Sequence, residues 1–186
     1  MERSVLRLSL AAACLALVAG SIVVSFWVAT KNFEIANFEK TPKAREVLAR
    51  IEGDEARTMA ARWFASESNR ALFGLLNPLQ VAGAAAAALL GLRALRGRAH
   101  EKLARRLLVL ALALAIALAP LVPMMIAKGR AIDFVSRAGG TPPEVRDFMM
   151  WHGLYSAADV LLLASALVLI PLLSLAASSP RPGATP

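Results

Sequence analysis

Apolar and polar positions along this chain are sorted into blocks. Four apolar runs, Val5 to Ala29, Ala71 to Leu92, Leu103 to Ala127 and Phe148 to Ala177, are separated by stretches that hold most of the charge. Each run supplies about the 20 residues needed to cross a bilayer core. In lipid a chain segment must satisfy its own backbone hydrogen bonds, so four such runs predict four helices. A soluble bundle would need polar stripes at helical period, and LLVLALALAIALAPLV (residues 107 to 122) has none. The expected fold is all-α, a four-helix transmembrane bundle occupying residues 1–177. The tail 178–186, SSPRPGATP from Ser178 onward, has the composition of a disordered end.

The first polar connection, residues 31–70, carries helix signals of its own. Thr41 followed by Pro42 is an N-cap followed by a good first helical residue. Ala44, Val47, Leu48 and Ile51 then share one face. Gly53-Asp54 interrupts, and Asp54 can cap a second helix whose apolar face is Ala56, Met59, Ala60, Trp63 and Phe64. The pattern predicts two short amphipathic helices on the membrane surface or over the mouth of the bundle. In the last connection, Thr141 and Glu144 have capping-box spacing, with Pro142 between them, so the fourth helix is expected to begin near Pro142. Pro120 and Pro123 are expected to kink the third.

Of the 186 residues, 58% are apolar and the mean hydropathy is +0.58. Net charge is +8, yet its placement argues against nucleic acid. The connection 93–106 holds six Arg or Lys and one acid, whereas 31–70 has eight basic against seven acidic residues and 128–147 four against three. The positive-inside rule therefore places both termini in the cytoplasm. The basic start (Arg3, Arg7) imitates a signal peptide, but the run exceeds a signal core of about 7–15 residues and is expected to stay as a helix. AAAC at 11–14 resembles a lipoprotein cleavage site, but the span continues past Cys14. The single cysteine excludes an internal disulfide. Sixteen Arg against five Lys, with abundant Ala, fits a GC-rich bacterial genome and hence a bacterial inner membrane.

Helix contact in lipid relies on small residues. Ala12, Ala16 and Gly20, then Gly83, Ala87 and Gly91, then Ala111, Ala115 and Ala119 form candidate ridges. These fit a tight bundle, a homo-oligomer through an unused ridge, or a larger membrane complex; the lipid bilayer is the expected partner.

The candidate chemistry lies on the fourth helix. His152, Tyr155, Ser156 and Asp159 share a narrow stripe. An acid near mid-bilayer costs about 2.5–3.5 kcal/mol, so the stripe is expected to face inward. Asn77 and Gln80, flanking Pro78 on the second helix, are expected at a similar depth. So are Pro120, Pro123, Met124 and Met125 on the third. Ligand-binding candidates are therefore Asp159, Tyr155, His152, Ser156, Asn77 and Gln80, with structural hydrogen bonding between helices as the competing reading. No metal site is expected: adjacent methionines (Met124-Met125, Met149-Met150) point about 100° apart on a helix. Bis-histidine haem fails because His100, the second of the two histidines, lies in the basic connection. No phosphate loop, HExxH or Ser/His/Asp motif is present, so neither a catalytic residue nor a cofactor can be named.

Trp151 to Leu162 resembles one segment of the transmembrane-protein-205-like family of small four-helix membrane proteins. His152-Gly153-Leu154 matches the start of that family's last helix, and Asp159 stands where the family has Asn. Tyr155 replaces its Ser, with Ser156 one place later, and the first connection is longer here. The resemblance implies the four-helix plan and no activity. Four-helix proteins similar to anthrone oxygenases share the size, but their arginine pattern in the last helix is absent. Two functions fit: a polar intramembrane site for a small amphiphile (quinone or lipid) or a proton relay, or an accessory subunit whose polar groups fix helix register and docking.

Overall fold

A computed structural model describes residues 2–37, 40–98, 100–136 and 139–179. The expected disordered tail falls outside the described residues from Pro180 onward. The fold is all-helical: α1 Arg3–Ala36, α2 Pro42–Leu48, α3 Asp54–Ala94, α4 Glu101–Ala131 and α5 Pro143–Ser178. Four of these are long and apolar enough to cross a membrane. Their apolar side chains also point outward: Leu17 and Leu89 are each 75% exposed. Water would penalise that surface and lipid would not, so this is a multi-pass membrane protein.

The helices are longer than the apolar runs that seeded them. At about 1.5 Å per residue, the 41 residues of α3 reach roughly 60 Å, about twice the hydrocarbon thickness. The helix expected at Asp54 begins there, with Asp54 and Glu55 complementing its dipole. It then runs without a break into the apolar segment, since only Gly74 and Pro78 lie in its path. Only α2 remains a separate short helix in this connection. Thr41 occupies its N-cap position with Pro42 behind it, but the hydroxyl makes no capping bond. It donates instead to the Glu34 carbonyl at 3.1 Å. Helix α5 starts at Pro143, one residue beyond the expected proline. Pro120 and Pro123 both lie inside the continuous helix α4.

The residues group into two compact units, and each long helix contributes to both. Unit 1 comprises the described residues within 1–22, 77–119 and 156–186. Its core pairs small residues with leucines: Ala11, Ala87, Ala115 and Ala166 are fully buried beside Leu8, Leu15, Leu162 and Leu169. The ridge on α3 is used as expected. A Cβ at Gly83 would stand 2.7 Å from Val18 Cγ2, and one at Gly91 would stand 2.8 Å from Leu108 Cδ1. The ridge expected on α1 is used only at Ala12. Ala16 and Gly20 are exposed, and α1 buries Leu8, Ala11, Leu15 and Val18 instead. On an all-apolar helix nothing in the pattern marks the inward face. Buried Arg98 closes this unit, donating to Ser4 Oγ (3.0 Å), to a Glu2 carboxylate oxygen (3.2 Å) and to the Ser179 carbonyl.

Unit 2 comprises residues 23–76 and 120–155. Its interior is more polar, with Ser25, Asn69, Arg70 and Asp133 buried. Asn32 donates to Asn69 at 2.7 Å, joining α1 to α3, and Lys128 pairs with Asp147, joining α4 to α5.

Candidate functional site

Three helices of unit 2 change character at corresponding places. On α3 polar residues give way to an apolar run after Arg70, on α4 the apolar run ends before Lys128, and on α5 it begins after Asp147. A cavity of about 530 Å³ lies among these transitions. Its apolar part includes Phe73, Val122, Met125, Ile126 and Val145. Its polar wall comes chiefly from one stripe of α3: Arg62, Ser66, Asn69 and Arg70, spaced at i, i+4, i+7 and i+8, with Phe73 one turn further. That periodicity is why a single rigid helix can present a graded surface, charged at one end and aromatic at the other. Among the lining residues Phe33, Met149 and His152 are exposed and mark the mouth.

The charged end is organised around Arg70, whose side chain is 8% exposed. It donates to a Glu67 oxygen at 2.7 Å and, through its other terminal nitrogen, to buried Asp133. Arg130 donates to the second Glu67 oxygen at 3.1 Å. These bonds, from Arg70 first and Arg130 next, hold the Glu67 carboxyl below its ordinary range. Glu67 stands before the apolar run of α3. Gly129 lets α4 approach the pair, since a Cβ there would meet the Arg70 guanidinium and the Phe148 ring, each at 3.4 Å. A buried guanidinium joined to two carboxylates is a rigid fixture, with its fork geometry fixed by both partners.

Two of the six residues singled out from the sequence line this cavity. Tyr155 is buried, its ring edge-on to Phe73 with centroids 6.0 Å apart. His152 stacks flat on Phe148, at 5.6 Å and 7°. The other four belong to unit 1 and are not among the lining residues. There Gln80 and Asp159 are each 1% exposed, Asn77 is 6% exposed, and Ser156 is half-buried. Asn77 Nδ2 and Gln80 Oε1 are buried and find no hydrogen-bond partner among the described residues. Leaving a buried amide atom unsatisfied costs about 1–3 kcal/mol. The expected inward orientation is thus found for Asp159, Tyr155, Asn77 and Gln80, but not for His152, which is exposed, and only in part for Ser156, so the stripe does not face inward as a whole. Met125 and Met149 also line the cavity. Among the described residues no group of three or more His, Cys, Asp or Glu side chains gathers to hold a metal.

Sequence reasoning missed the polar wall. Arg62, Ser66, Asn69, Arg70 and Asp133 lie in connections whose charges nearly cancel, so no local excess of charge marks them, whereas a polar residue inside an apolar run stands out. A signal was present: Asn69-Arg70 abuts the start of one apolar run, and Asp133 lies just beyond the end of another. No family model, curated protein or solved structure matches the chain.

Proposed function

We propose that this protein binds a small amphiphile in the cavity of unit 2, with its apolar body against Phe73, Val122, Met125 and Tyr155 and its polar head toward Asn69 and Arg70. The observation that supports this is the graded wall. A cavity within the size range of small-molecule sites, about 300–1,000 Å³, begins among buried charges and ends among apolar side chains along one helix. A soluble metabolite would gain little from the apolar end, and a pure hydrocarbon would leave the arginine end unused. In the same proposal the protein resides in a bacterial inner membrane with both termini cytoplasmic, because the connection 93–106 and the N-terminus carry the excess of basic residues.

The test is photolabelling with a diazirine-bearing fatty alcohol, a neutral probe, on the full chain in mild detergent. Label should map to peptides holding Phe73, Met125 or Met149, and Met125→Trp, which fills the apolar floor, should abolish it. Uniform labelling of lipid-facing leucines, or undiminished cavity labelling in Met125→Trp, would overturn the proposal.

One observation favours a second role as an accessory subunit. Val47, Phe64 and Phe134, outside the four apolar runs, are each 66–67% exposed. Apolar side chains of that size mark a docking or membrane-surface face when they form a patch. Partner chains that co-purify with wild type and are lost from Phe64→Ser would support this role, and purification as a single species would oppose it.

A further inference from the structure

We infer that the amphiphile of unit 2 is neutral and carries a planar ring with carbonyl acceptors, a quinone in chemical class. Ser66 and Asn69 receive its carbonyl and Phe73 its ring; this rests on the amphiphile reading above.

The charged groups at the polar end are already matched to one another. Arg70 donates to Glu67 and to Asp133, Glu67 accepts from Arg130 on its other oxygen, and Arg62 is engaged as well. A charged head would have to displace one member of a buried pair and leave its partner uncompensated. A neutral head leaves the network intact.

Two groups on the same wall still have hydrogen bonds to give. Thr58, Ser68, Ser165 and Ser174 each donate to the carbonyl four residues back along the helix. The half-buried Ser66 lines the cavity and has no hydrogen-bond partner among the described residues. Asn69 accepts from Asn32 on Oδ1 at 2.7 Å, which holds the amide in place, while its Nδ2 donates to no described residue. Ser66 and Asn69 are three residues apart and so neighbours on one face of α3. The amide nitrogen is a donor only, and the hydroxyl can donate beside it. A carbonyl oxygen, with two lone pairs, can accept from both.

The apolar wall points to a ring. All eleven aromatic residues, seven Phe, three Trp and one Tyr, fall within 23–76 or 120–155. Phe26, Trp27, Trp63, Phe64 and Phe134 are exposed, whereas Phe73, Phe148 and Tyr155 line the cavity with Phe33 at its mouth. Phe73 and Tyr155 meet edge to face, and Phe148 and His152 lie parallel. Such faces and edges favour a further ring over an alkyl chain of the same area. Asn69 and Phe73 stand one turn apart, about 6 Å along α3, so donor and aromatic face address the same head. A cavity of about 530 Å³ holds a substituted ring and the first part of a chain against Val122, Met125 and Ile126. A chain ketone would leave the rings unused, and an aromatic hydrocarbon would leave the donors unused.

The experiment is competition against the neutral photoprobe on the full chain in uncharged detergent. The four competitors are a decyl-substituted trimethyl-para-benzoquinone, the corresponding decyltrimethylbenzene, methyl undecyl ketone and dodecanoate. Label in cavity peptides is read relative to label in lipid-facing ones, which cancels light absorbed by the quinone. The quinone should halve cavity labelling at a concentration at least about tenfold below each of the other three. Ser66→Ala removes a hydroxyl that bonds nothing in the protein, so its melting midpoint should match wild type. In that variant the quinone should weaken at least about threefold, the worth of one neutral hydrogen bond, while decyltrimethylbenzene competes as before. Phe73→Leu should weaken the quinone and decyltrimethylbenzene and leave the ketone unchanged. Equal competition by the ketone or the hydrocarbon ring, stronger competition by dodecanoate, or a quinone advantage that survives in Ser66→Ala or in Phe73→Leu overturns the quinone assignment and leaves amphiphile binding standing. Absence of cavity labelling by the neutral probe itself removes both.

Discussion

Removing the charge of Asp133 while keeping its shape isolates the fixture on which the cavity is built. In Asp133→Asn the side chain can still accept a hydrogen bond from Arg70, so the loss is chiefly electrostatic. Both side chains of the pair are nearly buried, at 8% and 6% exposure. Breaking a buried pair by removing one partner costs about 3–5 kcal/mol, because an uncompensated charge stays behind. Arg70 keeps Glu67 at 2.7 Å, which argues for the lower end, about 3 kcal/mol. For a chain of this length, 1 kcal/mol moves the midpoint by roughly 2–4 °C, so the expected fall is roughly 6–12 °C. The assay is thermal unfolding in one detergent, followed by far-ultraviolet circular dichroism. Asp147→Asn is the matched control. Its pair with Lys128 is far more open, at 32% and 45% exposure, and should be worth less than about 1 kcal/mol. The double variant Arg70→Met with Asp133→Leu should recover most of the loss, since apolar replacement of a buried pair is often neutral or better. If Asp133→Asn melts within about 2 °C of wild type, or no lower than Asp147→Asn, the buried pair does not hold this unit together and the reasoning fails.

Gln80→Met, similar in length, removes the buried Oε1 that lacks a partner among the described residues and should raise the melting midpoint, by an amount bounded by about 1–3 kcal/mol. A lower midpoint would mean that Gln80 is bonded in the working protein. Gly83→Leu, by contrast, forces a side chain against Val18 Cγ2 and the Cys14 carbonyl and should destabilise by at least about 1–3 kcal/mol, whereas Gly20→Leu, with nothing within 4 Å, should melt like wild type.

From the sequence alone, the number and rough extent of the long helices follow. Apolar runs near 20 residues leave the backbone only one way to satisfy itself in lipid, and that constraint is local. Tyr155, Asp159, Asn77 and Gln80 were legible as inward-facing for the same reason: a polar group that cannot face lipid must face protein. The continuity of α3 from Asp54 to Ala94 was less legible, because a change from amphipathic to wholly apolar reads as a boundary although nothing in the backbone stops there. The face that α1 presents was not legible, since an apolar helix has no polar side to mark its orientation; packing chose Leu15 and Val18 over Ala16 and Gly20. Least legible was the pairing of Arg70 with Asp133, 63 residues apart. In a connection with eight basic and seven acidic side chains, no period singles out the one to be buried. Only the approach of α4 at Gly129, which brings the chain beyond its apolar run against the polar stripe of α3, makes those two charges partners and gives the cavity its charged end.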